Sequence, residues 1–90
     1  MTSIKDYGMK WTSKKTKDII EHKIIMEDDP TIVASIIAKR TGCCNFKVET
    51  KLDDEKVQYG NEKVSEKDIK LYIKDLKSFI NKEIIDQEEY

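Results

Sequence analysis

Along the last third of the chain, apolar residues return every three or four positions: Ile69, Tyr72, Ile73, Leu76, Phe79, Ile80 and Ile84. At about 100° per residue these positions share one side of a helix, so 65–85 is expected to form a single amphipathic helix of about five turns. Lys67, Lys70, Lys74, Asp75, Lys77 and Lys82 fall mostly on the remaining arc, where water is expected. Ser65 and Asp68 mark the start, because a serine oxygen accepts a bond from a free amide of the first turn and an acid suits the positive helix end. The apolar side needs a cover, and the rest of the chain must supply it.

Upstream, Tyr7, Met9 and Trp11 alternate with Gly8 and Lys10, the pattern of a short strand within 5–11. Thr12 or Ser13 offers a helix cap, and 13–28 reads as a first helix carrying Ile19, Ile20, Ile24, Ile25 and Met26, with a strand over 22–26 as its alternative. Asp28, Asp29 and Pro30 turn a corner into a second helix over 31–41. There Ile32, Val33, Ile36 and Ile37 make one face, Ala34 and Ala38 permit close approach, Lys39 and Arg40 suit the C-terminal end and Gly42 closes it. Next, Phe46, Val48, Thr50 and Leu52 alternate with Lys47, Glu49 and Lys51, the mark of a strand with one wet face. Asp53, Asp54 and Glu55 form a turn, and 56–60 returns as a second strand with Val57 and Tyr59 inward. Gly60, Asn61 and Glu62 break it before the long helix. The expected fold is α+β in the order (β)ααββα, with helices on one face of a small antiparallel sheet.

Ninety residues suit one domain, 1–90, with 1–4 and 87–90 expected to fray. Charged residues make up 39% and apolar residues 38%, so the interior must be thin and the surface ionic. The 17 basic and 18 acidic side chains nearly cancel, which together with the periodic apolar positions argues against disorder. All the basic residues but Arg40 are lysine and isoleucine is the favoured aliphatic, a usage associated with AT-rich coding in a virus, a phage or a low-GC microbe. No apolar run approaches the roughly 18 residues of a membrane span and the N-terminal stretch has no signal-peptide core, so a cytoplasmic location is expected.

Catalytic signatures are missing from the sequence: no glycine-rich phosphate loop, no H-E-x-x-H, no G-x-S-x-G and no Cys-x-x-Cys. No enzyme activity, cofactor or small-molecule substrate is expected. His22 has no motif partner for general-base work. Cys43 and Cys44 are adjacent and with His22 fall short of four zinc ligands, so they read as small thiols at a helix end, and no metal site is expected. The acidic clusters at 27–29 and 53–55 lack the alternating spacing of a calcium loop and read as solvated turns.

Two kinds of partner remain. A protein partner, or a second copy in a homodimer, would be met by a regulatory adaptor through the aromatic anchors Tyr7 and Trp11 and through Leu71 and Ile85, which fall away from the main helical stripe. The alternative is a nucleic acid held by the basic and aromatic segment 5–23, with Lys10, Lys14, Lys15 and Lys17 on phosphates and the aromatic rings on bases. The expected order of elements resembles that of the type I KH domain, a reader of single strands. That resemblance implies a backbone clamp between the first two helices, where this chain carries Glu27-Asp28-Asp29-Pro30 in place of a GXXG loop.

Overall fold

The computed structural model describes residues 3–57 and 63–88. A 3-10 turn, Ile4–Tyr7, leads into β1 Met9–Lys15, β2 Ile19–Met26, β3 Ile32–Thr41, β4 Asn45–Leu52, β5 Glu55–Lys56 and β6 Lys63–Ser65, and the chain ends in α1 Ile69–Glu88. The strands form one antiparallel sheet in the order β1-β2-β3-β4-β5, and β6 pairs with β4 at its opposite end from β5. The architecture is mostly sheet with a single C-terminal helix. The (β)ααββα order is therefore wrong, and the likeness to the KH order goes with it, since the corner at 27–30 joins two strands.

The two expected helices over 13–28 and 31–41 are the central strands β2 and β3 with part of β1. A spacing of four residues is close to one helical turn and is also two full repeats of a strand, so Ile32/Ile36 and Val33/Ile37 satisfy both patterns. Branching at Cβ favours the strand: isoleucine, valine and threonine lose rotamers against a preceding helical turn and pack well on a pleated surface. Thr12 and Ser13 accordingly lie inside β1 rather than at a cap. Arg40 lies one residue before the end of β3 at Thr41, and Gly42, with φ 68°, belongs to the β3–β4 turn rather than to a helix end. The Asp29 carboxylate accepts the Thr31 amide at 3.2 Å in the β2–β3 connection.

The expected strand from Phe46 is present, and Asp53 and Asp54 both have positive φ (52° and 68°), the two-residue hairpin geometry that matches strand twist. Of the expected return strand, Lys56 belongs to β5 and half-buried Val57 follows it, its amide donating to the Thr50 carbonyl at 2.9 Å, while 58–60, with Tyr59 and the break at Gly60, lie outside the described residues. Tyr7 ends the 3-10 turn, and Gly8, with φ 74°, turns the chain into β1. The long helix is one continuous rod. Its first bond runs from the Tyr72 amide to the Asp68 carbonyl at 2.9 Å, and the Ser65 hydroxyl donates to the Asp68 carboxylate at 2.9 Å instead of capping a free amide.

All the buried apolar side chains of the sheet lie on one side. Ile20 and Ile24, Ala34, Ile36 and Ala38, Phe46 and Val48, and Val64 face Ile69, Ile73, Leu76, Ile80 and Ile84 of α1. Ala34 and Ala38 leave room for the helix over the middle of the sheet. Ile24, Ile36, Leu76 and Ile80 are the largest fully buried side chains, each contributing about 1.5–3 kcal/mol by leaving water. Ile4 and Met9 close the end of the core beside β1. Among the described residues, the opposite face of the sheet carries no helix.

Candidate nucleic-acid interface

Strand alternation puts every second residue of β1–β4 on that uncovered face, and the register decides which of them meet. Lys47 of β4 stands directly opposite Lys39 of β3 on one side and Lys63 of β6 on the other. A second row runs Lys56, Lys51, Ser35, Lys23 and Thr12 across β5, β4, β3, β2 and β1. Between the rows lie Glu49, Ile37, Glu21 and Lys14, and Lys10 sits opposite Ile25 near the start of β1. Among the described residues, eight lysines thus share this face with two glutamates. Neighbouring strands are about 4.8 Å apart, so like charges facing across them repel and weaken the sheet.

The two glutamates are already engaged, Glu21 with Lys23 at 3.1 Å and Glu49 with Lys51 at 4.0 Å. No acid among the described residues pairs with Lys39, Lys47 or Lys63. Most of the chain's acids sit elsewhere, in the turns at 27–29, 53–54 and 66–68 and along α1. A net charge of −1 therefore hides a segregated molecule. The face bears no aromatic side chain among the described residues, so it can hold phosphates and has nothing on which to stack a base.

On the covered side, the inward residues of β1 and β2 and one flank of α1 enclose a groove of about 550 Å³. Trp11, Lys15, Ile20 and His22 line it from the sheet, and Lys70, Ile73, Lys74, Lys77, Ser78 and Asn81 from the helix. Trp11 is fixed as a wall: its Nε1 donates to Asn81 Oδ1 at 2.9 Å, and Lys77 Nζ lies 4.9 Å from the ring centre. Burial, with a smaller contribution from the Lys77 charge, lowers the pKa of His22 below its ordinary 6.5, so the ring is neutral at neutral pH. Its Nδ1 is buried without a hydrogen-bond partner among the described residues.

The structure distributes the expected binding residues over several places. Tyr7, Trp11 and Ile85 are half-buried against the core, Ile85 included although its position on the helical wheel suggested a free side chain. Leu71 is 63% exposed and lies about four turns from Ile85 along α1. Lys10 and Lys14 belong to the uncovered face, Lys15 lines the groove, and Lys17 lies in the β1–β2 turn, where its carbonyl accepts from Arg40. Lys23, the last residue of the basic segment 5–23, also lies on the uncovered face, whereas sequence reasoning missed the outer lysines at 39, 47, 51, 56 and 63 and the groove lysines of α1. The outer ones come from separate segments, and only the register joins them.

The lone arginine has structural work. Arg40 binds the Lys17 and Cys43 carbonyls at 3.3 Å and the Glu66 carboxylate at 3.2 Å, lies 3.6 Å from Asp18, and covers the Phe46 ring at 4.7 Å. One planar fork thereby ties three turns together at the end of the sheet. Cys43 and Cys44 are exposed in the β3–β4 turn with their Sγ atoms 2.8 Å apart, not at a helix end. Their mutual hydrogen bond is the main cause of the raised pKa of Cys44, which works against an activated thiolate. Among the described residues no group of three or more His, Cys, Asp or Glu converges as a metal would require, and no helix is long and apolar enough to cross a membrane.

Compared with known proteins, the chain matches no family model, no curated protein and no solved structure.

Proposed function

We propose that the protein is a non-catalytic binding module that holds the phosphate backbone of a nucleic acid on the uncovered face of its sheet. The supporting observation is the row Lys39, Lys47 and Lys63, three like charges opposite one another on a face where lysines outnumber acids. Stability alone would favour alternating signs at these pairs, whereas a polyanion turns the same arrangement into attraction. Contacts to phosphate position a protein without reading sequence, and among the described residues the face offers no ring for stacking, which favours sequence-tolerant binding. A cytoplasmic location is part of the same reading.

Fluorescence anisotropy of a labelled oligonucleotide, measured over a range of salt concentrations, tests this. Affinity falls steeply with salt, with a logarithmic slope of about −0.9 per phosphate contact on duplex or about −0.7 on single strands. The Lys39→Glu/Lys47→Glu double variant loses most of the affinity and flattens the slope, while Lys82→Glu, exposed on α1, changes neither. Equal losses from both variants, or no binding at low salt, would overturn the proposal. Tighter binding of an acidic peptide than of the oligonucleotide would assign the face to a protein partner instead.

A further inference from the structure

The groove between α1 and the β1–β2 edge has a composition that the outer face does not explain. Four lysines line it, Lys15 from the sheet and Lys70, Lys74 and Lys77 from the helix, and among the described residues no carboxylate does. None of the four forms an ion pair with an acid among the described residues. Lysines i and i+4 on one helix, such as Lys70 and Lys74, repel each other, and Lys77 adds a third positive charge one turn on. The rest of the α1 surface mixes signs, as Asp75, Lys82, Glu83 and Asp86 do. The groove is an exception to that mixing, and it is a concave one.

We propose that this groove binds a small phosphorylated ligand, the four lysines meeting its phosphate and Trp11, Ile20 and Ile73 flanking its organic body. Two features select that chemistry. Charge is the first: several cations without an acid suit a dianion better than a carboxylate. Size is the second, because a volume of about 550 Å³ is far larger than a phosphate group and falls in the usual range of small-molecule sites. The remaining space is walled by an indole held rigid through Asn81. A mononucleotide-sized phosphomonoester has both parts.

His22 fits the same reading. Lys15 from β1 and Lys70, Lys74 and Lys77 from α1 are the charged groups that line the groove with its ring, and opposite it on β3 stands Ile36. Burial, the larger cause of the lowered pKa, persists when the groove is filled, but an anion there offsets Lys77 and attracts the protonated ring, so anion binding and protonation of His22 favour each other. The groove lies on the opposite side of the sheet from the lysine rows, so the inference does not rest on the nucleic-acid reading.

Trp11 is the single tryptophan, and its fluorescence reports the groove directly. Titration with AMP is expected to give a saturable change, inorganic phosphate a weaker one and adenosine none. Lys70→Glu/Lys74→Glu, with unchanged circular dichroism, lowers AMP affinity by about tenfold or more, since two reversed contacts exceed the 1.4 kcal/mol that a decade requires. Lys39→Glu/Lys47→Glu leaves it unchanged. A 5′-phosphorylated oligonucleotide binding this groove more tightly than AMP, and more tightly than its 5′-hydroxyl form, would identify the phosphate as a strand end rather than a free nucleotide. Sulfate, a dianion across the range, should bind several-fold tighter near pH 6 than near pH 8, and His22→Gln should abolish that difference. Absence of saturation, equal binding of adenosine, or indifference to the α1 charge reversals overturns the site, and pH-independent sulfate binding overturns the part given to His22.

Discussion

The two faces of the sheet are built by the same strands and follow opposite rules. Inward, Ile24, Ile36, Ala38, Phe46 and Val48 lie under α1, and each side chain is nearly or wholly removed from water. Outward, one residue away along each strand, Lys39, Lys47 and Lys51 stand in solvent with like charges across from them, Lys47 opposite both Lys39 and Lys63 and Lys51 opposite Lys56. The inner face is a solution to stability. The outer face is not, because a wet antiparallel sheet needs only polar residues, and interspersed signs would serve it better. Stability and binding are therefore separable in this molecule, and substitutions on the two faces should have different signatures.

The largest expected effect is on the inner face. Leu76 is fully buried at the middle of α1, and Leu76→Ala should cost about 2–5 kcal/mol, which lowers Tm by about 8 °C or more for a domain of this size. Oligonucleotide affinity of the fraction that remains folded should not change. A loss of affinity measured well below Tm would show that the faces are coupled. Arg40 comes next, at the end of the sheet where the inner face meets three turns. Arg40→Ala should cost about 1–3 kcal/mol in thermal or denaturant unfolding, reduced from a fully buried network by its partial exposure. Arg40→Lys keeps the charge but loses the fork and should restore less than half of that loss. Full rescue by lysine would mean that charge alone holds the turns.

The same contrast between faces explains what could be read from the residues in order. The helix was legible because its stripe, from Ile69 to Ile84, is long enough to separate a period of 3.6 from one of 2. β4 was legible because Phe46 to Leu52 alternates strictly. β2 and β3 were not, because Ile doublets spaced by four or five residues leave the period undecided, and the deciding factor is the partner strand on each side. Trp11 and Lys15 stood out as one basic and aromatic stretch, and the fold does bring them together. It joins them to Lys70, Lys74 and Lys77, which as single positions are ordinary water-facing residues. The row of Lys39, Lys47 and Lys63 exists only through register, which a one-residue slip would destroy.

The smallest expected effect on stability tests the comparison most directly. Lys47→Glu places an acid between Lys39 and Lys63 and turns two repulsions into two attractions. Cross-strand pairs of this kind contribute about 0.2–1 kcal/mol, so the variant should melt a few degrees higher than the parent in low salt, and the gain should shrink as salt screens the pairs. Oligonucleotide affinity should fall in the same protein. A side chain whose replacement stabilises the fold and weakens binding is held in place by what it binds. A lower Tm for Lys47→Glu would mean that the lysine stem or ammonium serves the sheet itself, and the outer face would then be a solvated surface like any other.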